Sequence, residues 1–376
     1  MNQHNHCTRI LITLVFFAIS VSWLNTRAQS LDIPTRHAGL SFGNSKYFNG
    51  IRFNFRDHDV EQINGINVTL WRAYENKQAR VLGFSFGTIP EAGYLAGFQL
   101  GIAGVGAEEQ LKGISAGLLG VGCGGSINGI AVGGLGVGAG GSMSGIFIGG
   151  LGVGSGGDMT GINLGGLGAG SGADMTGLNA GLLGAGAGEN LTGINFGGLG
   201  VGAGENMTGI NIGGLGAGAG KNVTGLNFAL GGVGAGGNLK WLTIAGLGAG
   251  CAERLSGLTI AGLGVGCGDK MTGLTIAGLG AGAPQVEGIT LAGAVVGGDE
   301  ITGITLALAN IRIQENGSYT GLAASAFNYI KGEQIGVTFG IVNYSWELNG
   351  VQIGLINYVR DNPPLLKLLP LINANF

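Results

Sequence analysis

The chain has 376 residues, of which 84 are glycine and only 6 proline, and 18 Lys and Arg stand against 21 Asp and Glu for a net charge of -3. Glycine at roughly three times its usual share of ~7%, with no Gly-X-Y period, excludes collagen, and a hydrophobic share of 45% excludes ordinary disorder. Long helices are excluded because interior glycine costs about 1 kcal/mol relative to alanine, and the slightly acidic balance offers no basic face for nucleic acid.

In chain order, residues 1–28 read as a secretory signal peptide. Arg9 supplies a positive start, Ile10 to Leu24 is an almost wholly apolar run, and Thr26-Arg27-Ala28 places small residues at a cleavage site. The run is shorter than the ~20 residues a spanning helix needs. The predicted mature chain therefore starts near Gln29. It retains Cys123, Cys251 and Cys267, an odd number that does not suggest a disulfide scaffold.

Residues 29–112 are predicted to be an N-terminal cap followed by degenerate repeats that open at Gly50, Gly65, Gly83 and Gly97. Residues 113–287 are regular glycine-rich repeats. From Gly113 the chain reads GISAGLLGVGCGGSIN, GIAVGGLGVGAGGSMS, GIFIGGLGVGSGGDMT, and the 16-residue period continues to Thr272. Degenerate copies occupy 288–354, and 355–376 form a C-terminal cap. Counted from its first glycine, each unit has Ile or Leu at position 2, an apolar residue at 4, Leu at 7, Val or Ala at 9 and often Met at 15. Position 3 carries a run of Asn (Asn163, Asn179, Asn195, Asn211, Asn227) and then of Thr (Thr243, Thr259, Thr275, Thr290, Thr305). Between Gly113 and Lys240 the charges Asp158, Asp174, Glu189, Glu205 and Lys221 sit at positions 13 and 14 and Lys240 at 16, and Cys123, Cys251 and Cys267 stand at position 11.

Gaps of two between apolar positions are strand steps, and gaps of three are read as bends that keep side chains on one side. The expectation is all-β: a glycine-rich β-solenoid of about 20 short units. Positions 2, 4, 7, 9 and 15 would point inward, the Asn and Thr ladders would face solvent, and glycine at positions 5, 6, 8, 10 and 12 would supply corners and positive φ. Stacked Asn side chains would bond one another along the sheet. The alternative is an outer-membrane β-barrel, suggested by the export signal, the many strand-like units and the terminal Phe376. Against it, alternation breaks inside every unit and no aromatic girdles are present.

Two further motifs carry a resemblance. Gly336-Val-Thr-Phe-Gly-Ile-Val-Asn-Tyr and Gly350-Val-Gln-Ile-Gly-Leu-Ile-Asn-Tyr, with the ending Leu368-Leu-Pro-Leu-Ile-Asn-Ala-Asn-Phe376, are similar to the G-x-Q-x-G-L-x-N repeats and apolar C-terminal end of a group of uncharacterised bacterial cell-envelope surface-repeat proteins. The resemblance covers the last 40 or so residues and implies an envelope location. It brings no functional residues to transfer.

Chemistry is sparse. Gly83-Phe-Ser-Phe-Gly87 and Gly113-Ile-Ser-Ala-Gly117 satisfy G-x-S-x-G, but Ser85 and Ser115 sit at repeat position 3, and His37 and His58 are the only histidines after the signal. Asp57, His58, Asp59 and Glu61 form the one dense charged cluster, which reads as a solvated turn. No catalytic, cofactor-binding or metal-ligating residue is assigned, and no cofactor is implied. The expectation is a non-enzymatic exported protein of the cell surface or outer membrane of a Gram-negative-type bacterium. Its role would be structural, adhesive or interactive, toward an envelope or surface partner, protein or glycan. The barrel alternative would pass or bind solutes.

Overall fold

A computed structural model describes residues 30–376; the expected signal peptide, 1–28, lies outside the described residues. The chain is a β-solenoid. Each regular coil contributes one seven- or eight-residue strand and one short strand of about four, for example Met159–Gly165 followed by Gly168–Ser171. Long strands stack on long strands and short on short. Met159 faces Met175, Asn163 faces Asn179, and Ala169 faces Ala185, all parallel and all one repeat apart.

This register corrects the barrel alternative. A membrane barrel closes through antiparallel neighbours. Here the coils pair in parallel from Ala38 to Phe339, stacked one on the next like a rod. Among the described residues, antiparallel pairing occurs only at the first and last strands. Ser30–Thr35 folds back on Ala38–Gly43, and Leu368–Asn375 folds back on the last coil, with Gly350 facing Asn375. Each return strand occupies an edge that would otherwise invite another chain.

The facing of the side chains differs from the expectation. The long strand runs straight, so side chains alternate across it without a bend. Met159, Asn163 and Gly165 point in, while Thr160 and Ile162 point out. Positions 15, 3, 5, 9 and 11 therefore make the interior, and positions 2, 4 and 7 face solvent. A gap of three, from 15 to 2, puts the two residues on opposite faces. The core is thin. A buried column of Met143, Met159, Met175, Leu191 and Met207 packs against columns of Val and Ala such as Val137, Val153 and Ala169. Each fully buried aliphatic side chain of this kind contributes about 1.5–3 kcal/mol.

Glycine serves three different ends. Position 1 is the positive-φ column. Gly145 has φ 139° and a Cβ there would lie 1.8 Å from the carbonyl oxygen of Gly129, and the same geometry recurs along the rod from Gly39 to Gly350. At position 6 a Cβ on Gly134 would sit 1.8 Å from Leu118 O, whereas the coils that carry Leu118, Leu182 and Leu230 at this position turn the side chain out to solvent. At position 10 there is room. A Cβ on Gly122 would meet nothing within 4 Å. Positive φ thus belongs to position 1, and not to positions 5, 6, 8, 10 and 12.

Candidate functional site

The outer surface of the long-strand sheet is a ribbon of apolar side chains. In one coil Ile194, Phe196 and Leu199 are 49%, 44% and 51% exposed, and the same three positions recur in the coils before and after. Ten coil-to-coil steps from residue 113 to residue 273, at about 4.8 Å each, make it roughly 50 Å long. Three columns of side chains make it about 15 Å wide, so its area is about 750 Å². The largest apolar patch on a soluble monomer is about 300–600 Å². Toward the C-terminal end the ribbon deepens into a groove of about 760 Å³ whose walls include Ile276, Leu291, Leu306, Leu308, Phe339 and Ile341.

Charge is kept off positions 2, 4 and 7 of the regular coils, with Lys240 at position 16 standing beside the ribbon. Asp158, Glu189 and Glu205 lie on the exposed corner at positions 13 and 14, where Lys221 Nζ meets Glu205 Oε1 at 2.7 Å. The Asn side chains at position 14 bond along this corner: Asn206 donates to Asn190 Oδ1 and Asn222 to Asn206 Oδ1, each at 2.8 Å.

The position-3 ladder, expected at the solvent face, lies in the core. Asn163, Asn179, Asn195, Asn211 and Asn227 are fully buried, and each of the first four donates its side-chain N–H to the next Oδ1 at 2.7–2.8 Å. Thr243 to Thr305 continue the column, also buried. Upstream the column is apolar for two coils, at Phe147 and Ala131, and then polar again through Ser115, Gln99, Ser85, Asn67 and Arg52. Asn179, Asn195 and Asn211 are stable here because both hydrogen-bonding ends of each amide are met by the coils above and below. The ladder therefore cannot present a polar face to ice or to a glycan. The polar residues of the C-terminal motifs behave likewise: Asn343 and Asn357 are buried, with Asn343 donating to Asn357 Oδ1 at 2.7 Å.

Ser85 and Ser115, the G-x-S-x-G serines, both lie in this buried column, and Ser115 is bonded to Gln99 at 2.7 Å. The charged cluster at 56–61 divides. Asp57 turns inward to Arg52 Nη1 at 2.6 Å, a buried ion pair completed by Asn67 and Thr69, which donate to Asp57 Oδ2. Asp59 points outward to Lys46, whose hydrogen bond holds its carboxyl below the usual range. His58 lies 3.6 Å from Glu75. Asp57, His58 and Asp59 thus go to different partners. Among the described residues, no group of three or more His, Cys, Asp or Glu side chains converges.

The sequence offered one signal for the ribbon: the apolar residues at positions 2 and 4 flank a polar position 3, the alternation of a strand with two different faces. Compared with protein-family models, curated proteins and solved structures, the chain matches none. The repeat solenoid with its apolar ribbon is consistent with a structural or interaction role.

Proposed function

We propose that this chain is an exported, non-enzymatic structural protein of a bacterial cell envelope or surface, and that it works by laying its apolar ribbon against a protein partner. The observation that carries the reading is the ribbon itself, exposed apolar columns at positions 2, 4 and 7 with charge kept off those positions in the regular coils. A face of this size invites a stable interface, since burying apolar area returns about 25 cal/mol per Å² before the costs of association. A protein partner suits it better than a glycan, because the columns that make the ribbon, at positions 2, 4 and 7, are apolar. Export is supported by the signal-like residues 1–28, and an envelope location by the resemblance of the C-terminal repeats. The non-enzymatic reading is supported by the burial of Ser85 and Ser115.

The test is fractionation of cells expressing the full chain, beside a variant with Phe196→Lys and Ile212→Lys on the ribbon. The expected result is a processed N-terminus, retention of the native chain with the envelope, and release of the variant at unchanged circular dichroism. An unprocessed chain in the cytoplasm would overturn the export. Equal retention of the variant would overturn the ribbon as the contact surface.

A further inference from the structure

The position-11 column brings two thiols face to face. Cys251 and Cys267 end the short strands Gly248–Cys251 and Gly264–Cys267, which pair in parallel with one cysteine directly opposite the other. Their Sγ atoms are 2.7 Å apart. Neighbouring strands stand about 4.8 Å apart, within the Cα separation that a disulfide spans. Cys123 occupies the same column, but its partners across the ladder are Ala107 and Ala139. Among the described residues there is thus one facing pair and one single thiol in the same column.

The pair lies beside the least regular coil of the repeat. Trp241 stands in the positive-φ column between Gly225 and Gly257, with φ 82°. A bulky side chain at such a φ is a strained backbone. The buried ladder also changes there, from Asn227 to Thr243, and Asn227 donates to its own strand at Gly225 O, 3.3 Å away, in place of the next coil. Strain and a break in the amide ladder therefore coincide at the coil that carries Cys251.

We propose that Cys251 and Cys267 form an intramolecular disulfide that clasps coil 241–256 to coil 257–272. Two thiols lose two protons and two electrons as one S–S bond forms, and a disulfide oxidant such as oxidised glutathione takes the electrons and becomes two thiols. Cys251 is the more exposed of the two, so its thiolate attacks the oxidant's sulfur and releases one glutathione thiolate. Cys267 then attacks the Cys251 sulfur of the mixed disulfide and expels the second. Burial, with Cys267 beside it, pushes the Cys251 thiol well above its usual range, which makes the first step slow at neutral pH. The cellular oxidant depends on the export proposed above; the pairing itself does not.

The test treats the purified full chain with oxidised glutathione, alkylates it in denaturant with N-ethylmaleimide, and maps the peptides by mass spectrometry. The expected product joins the Cys251 and Cys267 peptides with the loss of two hydrogens, while Cys123 carries the maleimide. Cys123→Ala should leave the bond intact, and Cys251→Ala should abolish it. That variant keeps its fold, because alanine holds this position in the preceding coils at Ala219 and Ala235. Hydrogen exchange across 241–272 should slow several-fold on oxidation of the native chain and stay unchanged in Cys251→Ala. Alkylation of both Cys251 and Cys267 after oxidation would overturn the proposal, as would glutathione left on Cys251. A bond formed in the purified chain, with both thiols free in cells, supports the pairing and counts against export.

Discussion

Asn179 donates its side-chain N–H to Asn195 Oδ1 at 2.8 Å, and neither residue reaches solvent. Along this run Asn179, Asn195 and Asn211 each accept from the coil before and donate to the coil after, while Asn163 at its start only donates and Asn227 at its end donates within its own strand, so part of a mainly apolar interior carries a polar line. Such a line fixes register. A slip of one residue would place the amides among Gly and Ile and leave each of them unpaired.

Asn195→Ala would interrupt the line at its centre. The Asn179 amide loses its acceptor and the Asn211 Oδ1 loses a neighbouring donor, both in the core. Each unsatisfied group costs about 1–3 kcal/mol, so the expected loss is about 2–4 kcal/mol in urea unfolding at an unchanged m-value. Asn195→Thr should cost less, because threonine fills the same column from Thr243 onward. A loss below about 1 kcal/mol for the alanine variant would show that the line contributes register without stability.

Two glycines in adjacent coils should respond oppositely to alanine. Gly209 has φ 115° and its Cβ would lie 2.1 Å from Gly193 O, so Gly209→Ala forces the backbone to move. Gly202, at position 10, would place a Cβ 3.8 Å from Gly218 O and carries no positive φ. Gly202→Ala should be neutral or stabilise by about 0.4–1 kcal/mol through the unfolded chain, while Gly209→Ala should cost about 2 kcal/mol or more. Thermal melts of the two variants side by side decide it, and equal melting points would contradict the division of glycines into required and permitted.

Alkaline pH should find Tyr319. It is fully buried, and burial pushes its hydroxyl up to about 12 from an ordinary 10. Below pH 10 the folded and unfolded chains both hold the proton. Between pH 10 and 12 the unfolded chain releases it and the folded chain keeps it, so stability falls as pH rises through that window and levels off above it. Two pKa units correspond to about 2–3 kcal/mol. In urea titrations from pH 9 to pH 12, Tyr319→Phe should show a flatter decline than the native chain, and parallel curves would remove Tyr319 as the cause.

The 16-residue period was readable because parallel stacking places equivalent residues directly opposite one another. Repetition in the chain therefore becomes register in space, as with Met159 on Met175. The Asn-to-Asn bonds along position 3 were readable for the same reason. The inward or outward facing was not. Reading the gap between Met159 and Ile162 as a bend put Ile162 inside and Asn163 outside, whereas the strand is straight and the reverse holds. The assumption that apolar residues go in and polar residues go out failed because a stacked amide satisfies itself within the column and needs no water.

The amino-acid sequence by itself determined a repeating all-β chain with a 16-residue period, since so much glycine at fixed positions excludes helices, collagen and disorder, and it left a barrel open beside the solenoid. Only the tertiary structure decided which face is which. It buried the Asn and Thr columns, exposed the Ile and Leu ribbon, turned Asp57 inward to Arg52 and set Cys251 against Cys267. These outcomes depend on where the backbone turns and on which coil lies above another, and one residue's place in the alternation decides whether its side chain meets the core or water.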